Sequence, residues 1–119
     1  MTTSATNLVN MTANEIVGLL KKREVTPAEL LDALRERISE VDNKVNALPT
    51  LCWERAYKDA DKMSNLSLDE RGILAGLPVA IKDLNPVSGV RSTWGRQSTE
   101  ILCLRDLIAW LKIWKRKAG

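Results

Sequence analysis

Two short phrases constrain the first half of this chain more than anything else in it. "TANE" spans Thr12 to Glu15 and "TPAE" spans Thr26 to Glu29. Each sets a hydroxyl residue three places before a glutamate and just ahead of apolar residues at helical spacing. That is the grammar of a capping box, in which side chains reciprocally satisfy the amide groups orphaned at a helix start. Met11 is positioned to staple onto Ile16, and Val25 onto Leu30. Pro27 occupies the first helical position, where its missing N–H costs nothing. Between the two starts, Lys21, Lys22 and Arg23 suit the negative end of the first helix. The first helix is predicted to bury Ile16, Leu19, Leu20 and Val17. The second presents Leu30, Leu34, Ile38 and Val41 on one face.

Further along, Asp42 and Asn43 are read as the end of the second helix. A short extended piece, interrupted at Pro49, is expected from Val45 to Leu51. "WERAYKDADKM", from Trp53 to Met63, reads as a third helix with Trp53, Ala56, Tyr57 and Ala60 on one side. Residues 64–72 form a polar connector. The pattern then changes. From Ile73 to Leu84 the chain is almost continuously apolar, punctuated by Gly76 and Pro78. Val79, Ala80 and Ile81 are predicted to form a strand buried on both faces, as in a sheet covered by helices. Three helices cannot cover such a strand alone, so residues 11–95 read as the opening of a larger α/β domain. The first ten residues are polar and expected to be disordered.

At the end of the apolar run stands a lysine. Lys82 and Asp83 would point to opposite faces of a strand, so they are not a natural ion pair. Lysine is almost never fully buried without a partner. Two readings stand side by side. In one, the stem of Lys82 covers apolar surface while its head reaches water. In the other, a partly desolvated pocket keeps the amine neutral, able to take a proton from a serine hydroxyl. Composition does not choose between them. It does exclude much else: with no histidine in 119 residues, every histidine triad, relay and zinc site is ruled out. Cys52 and Cys103 have no metal-ligand or redox spacing. No cofactor and no metal are expected.

The run "GILAGLPVAIKDLNPVSGVRSTWG", from Gly72 to Gly95, resembles the lysine-bearing segment of the amidase signature family. The helices before it are similar to the N-terminal helical pair of those enzymes, so the resemblance covers about residues 11–95. Its most specific part is "GLPVAIKD". The resemblance implies a large mixed sheet wrapped by helices. It also implies a serine hydrolase of linear amides, acting on aryl, fatty-acyl, indole-acetamide or glutaminyl substrates through a Ser–cis-Ser–Lys triad. Lys82 matches the family lysine, the base that works through the bridging cis serine. The expected partner is therefore a small-molecule amide substrate. The two family serines belong to a Gly/Ser-rich segment that also supplies oxyanion-hole amides. The six glycines here are scattered, and no Gly-Ser-Ser-Gly cluster occurs. Ser88 and Ser92 read as turn and strand residues, not substitutes. The chain by itself is expected to be inactive.

Residues 96–119 depart from the resemblance. The net charge of +3 resides there, residues 1–95 being close to neutral. Codon degeneracy lets "RQSTEILCLRDLIAWLKIWKRKAG" be re-read in a shifted frame. That reading approaches the family's expected continuation, including its Y-x-D, P-x-x-S-D and Gly-Gly elements. The tail is accordingly read as out-of-frame sequence and the chain as truncated. The alternative is a selected basic amphipathic helix. Leu104, Leu107, Ile108 and Leu111 share a face ahead of Lys112, Lys115, Arg116 and Lys117, a pattern that suits an anionic membrane surface or a partner groove. No nucleic-acid partner is expected, since four clustered charges supply only non-specific attraction. Nor is stable membrane insertion, because no apolar run approaches the roughly 20 residues required. The absence of a leader-like N-terminus and of disulfide spacing points to the cytoplasm. Nothing in the sequence fixes an oligomeric state.

Overall fold

The computed structural model describes residues 5–95. The basic tail, with either reading of it, lies outside the described residues. The chain divides into two compact units, residues 1–78 and 79–119.

The first unit is helical. α1 (Ala5–Leu8) is a single turn, α2 runs over Ala13–Lys21, α3 over Pro27–Val45 and α4 over Trp53–Asn65. Both capping boxes form. Thr12 Oγ1 accepts from the Glu15 amide, and Glu15 Oε2 accepts from the Thr12 amide at 2.8 Å. Thr26 and Glu29 repeat the exchange at 3.2 and 2.8 Å. Each cap is worth about 1 kcal/mol. α2 stops through a Schellman motif. Arg23 takes the left-handed conformation (φ 58°), its amide donates to Leu20 O, and the Glu24 amide donates to Leu19 O. That reversal lets α3 start four residues later.

The core gathers Leu8, Leu20, Val25, Leu30, Ala33 and Ala75, with Met11, Ile16, Val17, Leu19 and Leu77 packed around it. Leu20 is fully buried, and burying such a side chain stabilises by about 1.5–3 kcal/mol. α3 packs against α1 and α4. Its apolar stripe is buried at Leu30, Leu31 and Ala33 but only half-buried at Leu34, Ile38 and Val41. The α3–α4 seam is closed by Tyr57, whose hydroxyl donates to Asp32 Oδ1 at 2.6 Å, and by Arg35 lying 5.9 Å from the Trp53 ring centroid. The Asp32 carboxylate, as acceptor, pushes the Tyr57 hydroxyl's pKa up.

Four expectations need correction. The first ten residues are not wholly irregular: α1 forms a turn because Leu8, 4% exposed, plugs the core. α3 does not end at Asp42 and Asn43 but continues to Val45. Asn46 caps it in the left-handed region, and Asp42 accepts from the Ala47 amide at 2.8 Å. Asp42 thus fastens the exit rather than breaking the helix. Residues 46–52 hold no strand. The strand expected at Val79–Ile81 is likewise missing. Among the described residues there is none, and Val79 and Ile81 are 60% and 51% exposed. A strand needs a neighbouring ladder to satisfy its amides and cover its faces, and no described segment provides one. The described residues are therefore helical, and the α/β sheet expected from the resemblance is not among them.

A third hydroxyl–glutamate phrase falls in the polar connector. In "SLDE", Glu70 Oε2 accepts from the Ser67 amide at 2.9 Å and from its hydroxyl at 2.7 Å. Here only a turn follows. Arg71, 7% exposed, then folds back onto the end of α4, donating to Ser64 O at 2.9 Å and Leu66 O at 3.3 Å. Its guanidinium satisfies two carbonyls at the negative end of that helix.

Candidate active site

The motif "GLPVAIKD" straddles the boundary between the two units. Its glycine is a packing device of the first unit. Gly76 has φ +101°, and a Cβ there would lie 2.8 Å from Pro27 Cγ and 3.5 Å from Pro27 Cβ. The ring that opens α3 therefore sits directly against the Gly76 backbone. Ala75, 1% exposed, is also left-handed at φ 52°, so two successive residues turn the chain sharply before the lysine segment.

Lys82 belongs to the second unit. Its side chain is exposed, and among the described residues it takes part in no ion pair. Its carbonyl accepts from the Asn85 amide at 2.9 Å, closing a tight turn immediately after it. Asp83 turns to a different partner, in keeping with the absence of a natural pair with Lys82. Its Oδ1 and Oδ2 accept from the Thr93 amide at 2.9 and 3.1 Å, and Oδ2 also accepts from the Thr93 hydroxyl. The Gly95 amide donates to Thr93 Oγ1 at 3.3 Å. The Thr93 hydroxyl foremost, then the amides of Thr93, Gly95 and Trp94, hold the Asp83 carboxyl below its ordinary value of 3.8. Between the clasped ends, Val87–Val90 makes a turn with Gly89 at φ 74°. Ser88 lies half-buried in that turn. Ser92 is buried at 6% exposure but is not part of a strand. No sequence rule points to the Asp83–Thr93 clasp, because a ten-residue spacing has no helical or hairpin signature.

The clasp carries a pH prediction shared with the caps. Glu15 and Glu70 are held below their ordinary 4.5 by the Thr12 and Ser67 hydroxyls, then by the backbone amides of those residues. Carboxyls with lowered folded pKa stabilise fully above the unfolded value, and that contribution is lost as pH falls through the folded value. Thermal melts followed by circular dichroism should thus be flat from neutral pH to about 5 and shift downward below about pH 4. Asp83→Asn should reduce the acid-induced shift. An unchanged acid profile in that variant would mean the Asp83 charge does not hold the loop.

Among the described residues no cluster of three or more acidic or cysteine side chains could hold a metal ion. No described helix is long and apolar enough to cross a membrane. A lysine after an apolar run, on a loop closed by its neighbouring aspartate and preceded by a helical unit packed on the motif glycine, is the arrangement to be placed among known proteins. The family model described as Amidase matches residues 29–101, more than half the chain. The chain belongs to the amidase family. Its curated relatives are named as subunits of glutamyl-tRNA(Gln) amidotransferase. The chain is 36% identical over 87 residues to that of Shouchella clausii (strain KSM-K16), covering 73% of this chain and 18% of the relative. It is 42% identical over 86 residues to that of Halothermothrix orenii, covering 72% and 17%. It is 38% identical over 96 residues to that of Caldanaerobacter subterraneus subsp. tengcongensis, covering 78% and 19%. The chain thus spans less than a fifth of the length of these relatives. No solved structure matches it.

Proposed function

We propose that this chain carries the lysine of an amide hydrolase, with Lys82 as the base that acts through a bridging cis serine on a serine nucleophile. The observation that carries the reading is the placement of "GLPVAIKD", with Lys82, inside the Amidase match at residues 29–101. The reaction is cleavage of a carbon–nitrogen bond in a linear amide through an acyl-enzyme. The serine hydroxyl gives up its proton toward the lysine as it attacks the carbonyl carbon, and the amine departs protonated. Because the relatives are named as parts of an amidotransferase, the substrate assigned is a carboxamide whose nitrogen is handed on. The exposed, free thiol of Cys52 suits a reducing cytoplasm. A lysine without a nucleophile and oxyanion donors lacks the terms that dominate acyl transfer. The 119 residues alone are therefore expected to be silent.

A chimera tests this. The aligned segment of the Halothermothrix orenii relative is replaced by residues 11–95, and release of ammonia from a primary carboxamide is measured. The chimera should turn over while the isolated chain gives no signal above buffer. A folded but inactive chimera would sink the assignment.

A further inference from the structure

We propose that Val79–Leu84 is a docking segment for a separate amidase-family polypeptide, onto which this chain fits as the missing lysine-bearing piece. Val79, Ile81 and Leu84 are 60%, 51% and 59% exposed, and the charge of Lys82 sits among them. Flanking turns are closed by the Leu77 amide on Leu74 O and the Asn85 amide on Lys82 O. Between them, among the described residues, the amides of Val79, Ala80, Ile81 and Lys82 donate no backbone hydrogen bond. Three large apolar side chains and four unpaired amides in six residues are what a strand shows before its sheet is present. Strand addition satisfies both needs at once, main-chain bonds supplying affinity and apolar pockets supplying specificity.

The identity of the occupant follows from the comparisons. In each relative, the residues matched to this chain are joined to more than four-fifths of a polypeptide that this chain does not match. That remainder is the surface on which such a segment rests. A second copy of this chain fits less well. A lysine within an exposed apolar edge disfavours edge-to-edge self-pairing, whereas an amidase-family partner uses the same lysine. The inference rests on the assignment of Lys82 made above and adds its partner.

The test co-expresses the tagged 119-residue chain with the Halothermothrix orenii relative lacking its matched segment. Co-elution from the tag resin and hydrolysis of a primary carboxamide are both read. The shortened relative should co-elute. A Val79→Asp, Ile81→Asp double variant should weaken the association roughly 100-fold. Both side chains are exposed in the chain itself, so its circular dichroism should be unaltered. Failure to co-elute, or failure to become soluble on co-expression, overturns the proposal. So does co-elution indifferent to the double variant, or a homodimer of the chain alone that the variant dissolves. Co-elution without hydrolysis leaves docking standing and removes the role of Lys82. Hydrolysis by the covalent chimera without co-elution removes docking alone.

Discussion

Lys82→Ala, introduced into the chimera that carries residues 11–95, is expected to lower amide hydrolysis by about 10²–10⁴-fold, the usual contribution of a positioned base. The variant should fold normally. The side chain is exposed and enters no ion pair among the described residues, so its loss removes no packing and strands no charge. Lys82→Arg separates proton transfer from simple charge. A guanidinium keeps the positive charge but stays protonated and cannot act as a base. An arginine variant as inactive as the alanine variant supports proton transfer. One that recovers most of the rate would show that only a cation is needed, and the base assignment would fall. Rates are compared at saturating and at limiting substrate, because loss of a base lowers kcat and kcat/KM together.

The second large effect is structural. Gly76→Ala is expected to destabilise the isolated chain by roughly 2–4 kcal/mol, combining positive-φ strain with overpacking. The added methyl would stand 2.8 Å from Pro27 Cγ, and a proline ring at a helix start has little freedom to retreat. Gly72→Ala is the matched control. Gly72 also has positive φ (+72°), but nothing lies within 4 Å of a Cβ built there, so only the strain of about 1–2 kcal/mol should appear. Urea unfolding of the two variants gives the difference directly. Equal losses would mean that the Pro27 contact is slack. With domain stabilities of only about 5–15 kcal/mol, the Gly76 variant should already populate the unfolded state visibly.

The legible parts of this chain are those whose causes are local. Thr12 with Glu15 and Thr26 with Glu29 announce helix starts, because every partner in the hydrogen-bond exchange lies within four residues. The same grammar at Ser67 and Glu70 shows its limit. The bonds form, but no apolar periodicity follows, and the chain makes one turn and no helix. Arg71 is illegible, since its partners are carbonyls of a helix end that sequence does not place beside it. Val79–Ile81 mislead for the opposite reason. Their β-branched, apolar character is real, but a strand is a property of two segments, and its neighbour is not among the described residues. Lys82 is legible only through family resemblance. Its local environment, an exposed side chain on a turn, carries no mark of catalysis by itself.

The Asp83–Thr93 clasp has one further consequence. Joining residues ten apart restricts the conformations open to the intervening loop, and the associated entropy cost grows only slowly with loop length. That cost is met within this chain as it folds. Any partner binding next to Lys82 therefore meets a loop already shaped, and spends less of its interaction energy on ordering it. Asp83, adjacent to the lysine and pointed away from it, acts as an organiser of the surface on which the lysine is presented.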